Sequence, residues 1–90
     1  MPSRMKPVNL QLMKWLASQP VGAPYDDILQ YCNEHQLMEE KFLKFFIRNY
    51  KSRRYELLAE TESGNIFVTD RGRVFLSRMS DKENEVAAMT

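Results

Sequence analysis

Residues 38–51, MEEKFLKFFIRNYK, constrain this chain more than any other stretch. At about 100° per residue, Phe42, Leu43, Phe45, Phe46, Ile47 and Tyr50 share one broad side of a helix. Lys41, Lys44, Arg48 and Lys51 share the other. Most of the stability of such a helix comes from packing its apolar side against something else. The fold must therefore supply a cover. The chain has 90 residues, enough for one domain and near the lower size at which one apolar core suffices. Phe42, Phe45, Phe46, Phe67, Phe75 and Trp15 are expected to make up the bulk of that core.

The remaining elements follow from spacing and punctuation. Pro7 suits the first turn of a helix, where its missing N–H is not needed. Leu12, Met13, Trp15 and Leu16 follow at helical spacing, with Gln11, Lys14 and Ser18 opposite, which predicts a first helix over residues 8–18. Pro20, Gly22 and Pro24 end it in a short loop. A second helix is expected from Tyr25 or Asp26, with Asp26 and Asp27 suited to its N-terminus as caps or as charges facing the positive end of the dipole. Ile28, Leu29 and Cys32 form its apolar stripe, with Tyr31 at the edge. Asn33 to Leu37 lacks periodicity and reads as a turn before the third helix at 38–51.

From Tyr55 the pattern becomes strand-like. Residues 55–61 and 66–69 flank Glu62-Ser63-Gly64-Asn65, and Gly-Asn between two such runs signals a hairpin. Adjacent Leu57 and Leu58 interrupt the alternation, so the pattern sets the hairpin and not its register. Thr69 is expected to cap a last helix that buries Val74, Phe75, Leu76 and Met79. Residues 1–7 read as a short arm and 80–90 as a flexible polar tail.

Helix, helix, turn, helix, hairpin, closing helix resembles the order of a winged helix-turn-helix domain. The stretch Ile66-Phe-Val-Thr-Asp-Arg-Gly-Arg-Val-Phe-Leu76 is similar to the passage from second wing strand to closing helix in many bacterial and archaeal members of that superfamily, with Val68, Thr69, Gly72 and Leu76 at the matching positions. The resemblance covers residues 8–79. It implies an α+β fold, mainly α: three helices, a two-stranded wing and a C-terminal closing helix, as one domain over residues 1–79. It also implies that the third helix lies in the major groove of DNA. The wing departs from the pattern. Wings that touch DNA often carry bases near the tip, and this one carries Glu60 and Glu62.

Charge is distributed accordingly. The net charge is +1, yet residues 41–54 hold Lys41, Lys44, Arg48, Lys51, Arg53 and Arg54 with no acid, and residues 55–65 hold three acids with no base. Those six bases are the expected DNA contacts. Lysine and arginine would neutralise phosphates and release counterions, and Arg48 is suited to pair bidentately with a guanine edge. A solvated helix face is the plain alternative for the same stripe. Glu39 and Glu40, where base contacts usually begin, have a structural reason to sit at a helix start. Arg71 and Arg73 either extend the basic surface or pair with the acidic wing, and pairing is the favoured expectation.

Two functions fit. One is a double-stranded DNA-binding transcriptional regulator, with a dimer expected because one small domain makes a small interface. The other is a protein-interaction adaptor or inhibitor that turns the basic helix and acidic wing toward a protein partner. No enzyme is expected, and no cofactor or metal. His35 is the only histidine, with no second ligand at suitable spacing. Cys32 lies on an apolar stripe and reads as core. The three glycines lie far apart and build no phosphate loop. Tyr25, Tyr50 and Tyr55 are possible surface anchors. A single cysteine, no signal-peptide pattern and no apolar run near the ~18 residues of a membrane span predict a cytoplasmic protein without a membrane partner.

Overall fold

A computed structural model describes the backbone of residues 5–89 and the side chains of residues 5–79. The described residues form a mainly helical α+β arrangement: α1 (Pro7–Ala17), β1 (Ala23–Pro24), α2 (Tyr25–Glu34), α3 (Glu40–Lys51), β2 (Leu58–Glu60), β3 (Asn65–Val68) and α4 (Asp70–Met89). The strands make one antiparallel sheet in the order β1-β3-β2.

Local chemistry explains most boundaries. Pro7 occupies the start of α1, and Ser18 closes it by donating its hydroxyl to the Trp15 carbonyl at 2.6 Å. Asp26 and Asp27 lie in the first turn of α2. That helix stops where Gln36 adopts φ +52° and the Leu37 N–H turns back to the Cys32 carbonyl at 2.9 Å. The third helix begins two residues later than its periodicity predicts, because Glu39 is extended and its carbonyl already accepts from the Phe42 and Leu43 amides.

The strand β1 was hidden by its own residues. Gly22 and Pro24 read as loop, but an edge strand tolerates proline, and Ala23 pairs with Ile66. Gly22 is needed there: its φ is +76°, and a Cβ would collide with the Ile66 carbonyl. The hairpin forms as expected, with Gly64 at φ +91° in the turn and Leu58, Ala59 and Glu60 opposite Val68, Phe67 and Ile66. Leu57 and Leu58 both point inward because the chain kinks at Glu56, φ +52°, just before the strand.

Thr69 caps α4. Its hydroxyl oxygen accepts from the Gly72 N–H at 3.0 Å and donates to the Glu56 carbonyl at 2.6 Å, fastening the helix start to the hairpin. The helix continues past Met79 to Met89, through the segment that composition assigns to a tail. No glycine or proline follows Gly72, and Lys82, Glu83, Glu85, Ala87 and Ala88 are good helix formers. The side chains of 80–90, like residues 1–4 of the expected arm, lie outside the described residues.

The core draws on every element. Leu12, Met13 and Leu16 of α1, Ile28 and Cys32 of α2, and Leu43 of α3 are fully buried, joined by Phe46, Ile47, Leu58, Ile66, Val68 and Leu76. Expectations for the large residues need correction. Phe46 is buried, but Phe42 and Phe45 are 55% and 67% exposed, while Trp15, Phe67 and Phe75 are half-buried. Val74 is also exposed. Three consecutive residues such as Val74, Phe75 and Leu76 sweep about 200° of a helix, so they cannot all face inward. Leu76 faces the core, with Phe75 and Met79 packed at its margin.

Candidate nucleic-acid interface

The third helix is divided lengthwise into three sectors. Leu43, Phe46 and Ile47 face the core, with Tyr50 at its edge. Lys44, Arg48 and Lys51 form a basic sector, and Phe42, Phe45 and Asn49 form a third, turned toward the N-terminal end of α1. Six apolar positions spread over so wide an arc exceed what one small core can cover, so two of them stay outside. All six expected bases are exposed.

The fold gathers three of them. Lys44, Arg48 and Lys51 line one open cleft of about 480 Å³ together with Tyr25 from α2 and Glu60 and Gly64 from the hairpin. The cleft exists because β2 and β3 lie beside α3. Lys41 faces away from it and lines the aromatic groove instead. Arg53 and Arg54 lie beyond the end of α3, where the Arg54 guanidinium sits 5.5 Å from the Tyr55 ring centroid.

Pairing decides which charges remain available. Lys51 Nζ lies 3.2 Å from Glu60 Oε1, so the acidic hairpin takes one base of the sector. Lys41 is 3.9 Å from Glu39 Oε2 and 5.0 Å from the Phe42 ring centroid. Among the described residues, Lys44, Arg48 and Arg53 have no ion pair or side-chain hydrogen bond. Arg71 reaches Glu56 at 3.7 Å, at the base of the hairpin, and Arg73 donates to the Ala17 carbonyl at 3.2 Å. Arg71 therefore pairs at the base of the hairpin, and Arg73 caps the C-terminal end of α1.

Sequence reasoning missed two partners on the cleft side. Glu60 shares the cleft with the bases, and the Tyr25 hydroxyl donates to Glu40 Oε2 at 2.9 Å. The sequence marks Tyr25 only as a surface anchor; its position just ahead of Asp26 carries no cue to a residue fifteen positions on. Tyr50 and Tyr55 are half-buried and stack edge-on at 5.4 Å. His35 ends α2 and lies against the Tyr31 ring at 4.3 Å, and Trp15 stacks on that same Tyr31 ring, also at 4.3 Å. Burial pushes the Cys32 thiol up to about 11. Near neutral pH it therefore stays protonated.

The chain matches no protein-family model, no curated protein and no solved structure. Fold and cleft define a small, mainly helical α+β domain with a basic helix flank beside a hairpin. No described helix is long and apolar enough to cross a membrane.

Proposed function

We propose that this chain is a winged-helix protein that binds double-stranded DNA through α3, acting as a small cytoplasmic transcriptional regulator. One observation carries the reading. Lys44 and Arg48 stand exposed and, among the described residues, without acidic partners on the flank of α3 that opens beside the hairpin. The order α1, β1, α2, α3, hairpin, α4 supports the winged-helix part. In this reading α3 enters the major groove, Lys44 meets phosphate and Arg48 reaches a base edge. Arg53 and Arg54 follow the flanking backbone. The hairpin contributes no phosphate contact, since its Glu60 faces the same cleft.

Titration of a labelled random-sequence duplex at two salt concentrations tests it. Binding near the micromolar range that weakens steeply with salt is expected. Absence of binding even at low salt refutes it. The second reading, a protein-interaction adaptor or inhibitor, is favoured by the Lys51–Glu60 pair, which leaves a surface of both signs. Direct binding to a purified protein partner, lost in Glu60→Lys, together with no duplex binding at low salt, is its signature.

A further inference from the structure

The aromatic sector of α3 lies on a different surface from the basic cleft. Phe42 and Phe45 project from it beside a groove of about 950 Å³ lined by Met5, Val8, Leu37 and Met38. Among the described residues, none lines both the groove and the cleft. Phe42 and Phe45 lie three residues apart on α3, each more than half exposed, and contiguous exposed apolar patches are uncommon on monomers.

We propose that this face joins two copies of the chain as a symmetric dimer. Two features select a second copy over other occupants. First, knob and hole are on the same patch: projecting rings stand next to an apolar recess, as a twofold contact requires. Second, the rim carries both signs side by side. Glu39 and Lys41 are both about three-quarters exposed and only loosely paired at 3.9 Å. A twofold axis near residue 40 sets Lys41 of each copy against Glu39 of the other and Phe42 against Met38. A strongly acidic partner would meet Glu39, and a strongly basic one would meet Lys41 and Lys6. Because Lys44, Arg48 and Lys51 lie on the other flank, the dimer leaves both basic clefts open. The association does not rest on the nucleic-acid reading.

Sedimentation velocity on the purified chain without nucleic acid, between about 1 and 200 μM, tests it. A concentration-dependent monomer–dimer equilibrium is expected. Phe45→Glu, at an exposed position, should keep its circular dichroism spectrum and weaken dimerisation at least about tenfold. Lys41→Glu and Glu39→Lys should each weaken it, and the double exchange should restore it. Lys44→Ala with Arg48→Ala should leave it unchanged. A monomer throughout the range overturns the proposal, as does a dimer that Phe45→Glu leaves intact.

Discussion

Lys51 Nζ sits 3.2 Å from Glu60 Oε1, tying the last turn of α3 to the first strand of the hairpin. Both side chains are partly exposed, so the pair contributes little to stability, within about 1 kcal/mol. It contributes more to the field in the cleft. Glu60→Gln is expected to release Lys51, remove a negative charge and tighten duplex binding. The salt slope should steepen by about one unit as Lys51 gains a phosphate. Fluorescence anisotropy across a salt series measures both.

Replacing Lys44 and Arg48 together with alanine should do the reverse. Duplex affinity falls, and the salt slope flattens by about one unit as the Lys44 phosphate contact is lost. The melting temperature should barely move, since exposed substitutions of this kind stay within about 0.5 kcal/mol each. Loss of folding would contradict the sector assignment of α3.

Phe45 and Phe46 are neighbours with opposite fates, one exposed and one buried. Phe46→Ala should cost about 3–5 kcal/mol by leaving a cavity. Phe45→Ala should cost under about 1 kcal/mol at concentrations where the chain is monomeric. Urea unfolding of the two variants compares them directly.

The start of α4 is held by two small contacts. Thr69→Ala removes both the cap on Gly72 and the tie to Glu56, for an expected loss of about 1–2 kcal/mol. At Gly72 an added Cβ would come 2.5 Å from the Leu57 carbonyl oxygen and 2.6 Å from Val68 Cγ1. Gly72→Ala should therefore cost about 1–3 kcal/mol through overpacking. Denaturant midpoints report each loss.

Alkali should unfold the protein progressively. Burial pushes Cys32 up to about 11. Burial, and then the hydrogen bond to Glu40, pushes Tyr25 up to about 12. Burial also raises Tyr50. In each case the unfolded chain gives up its proton at lower pH than the folded one. The stabilisation is complete below the ordinary thiol value of 9.0 and is lost as pH rises toward the folded value. Melting temperature should decline from about pH 9 upward, and a flat profile to about pH 11 would contradict the burial of these groups.

Much of this fold is legible in the residues. Pro7, Asp26, Thr69 and the Gly64-Asn65 turn mark their elements by chemistry confined to a few neighbours. The exposed bases are legible for the same reason, because periodicity puts charge opposite the apolar side. What failed depends on distant partners. Phe42 and Phe45 match the apolar pattern, and only the width of the real core excludes them. The strand β1 is defined by pairing with Ile66, which its own Gly-Ala-Pro residues do not announce. The Lys51–Glu60 contact joins a helix to a strand and has no local signature.

The small strand β1 bears on how the chain folds. Beside it, the Asn65 amide donates to the Val21 carbonyl at 3.4 Å across 44 residues of sequence. The hairpin of β2 and β3 closes a short loop and can form within microseconds. Adding β1 to the hairpin closes a loop that contains both α2 and α3, and that closure carries its entropy cost before any contact repays it. Sheet completion is therefore a late event that reports on the helices enclosed by it. In hydrogen exchange, the β1–β3 amides should open together with α2 and α3, as one cooperative unit separate from the hairpin.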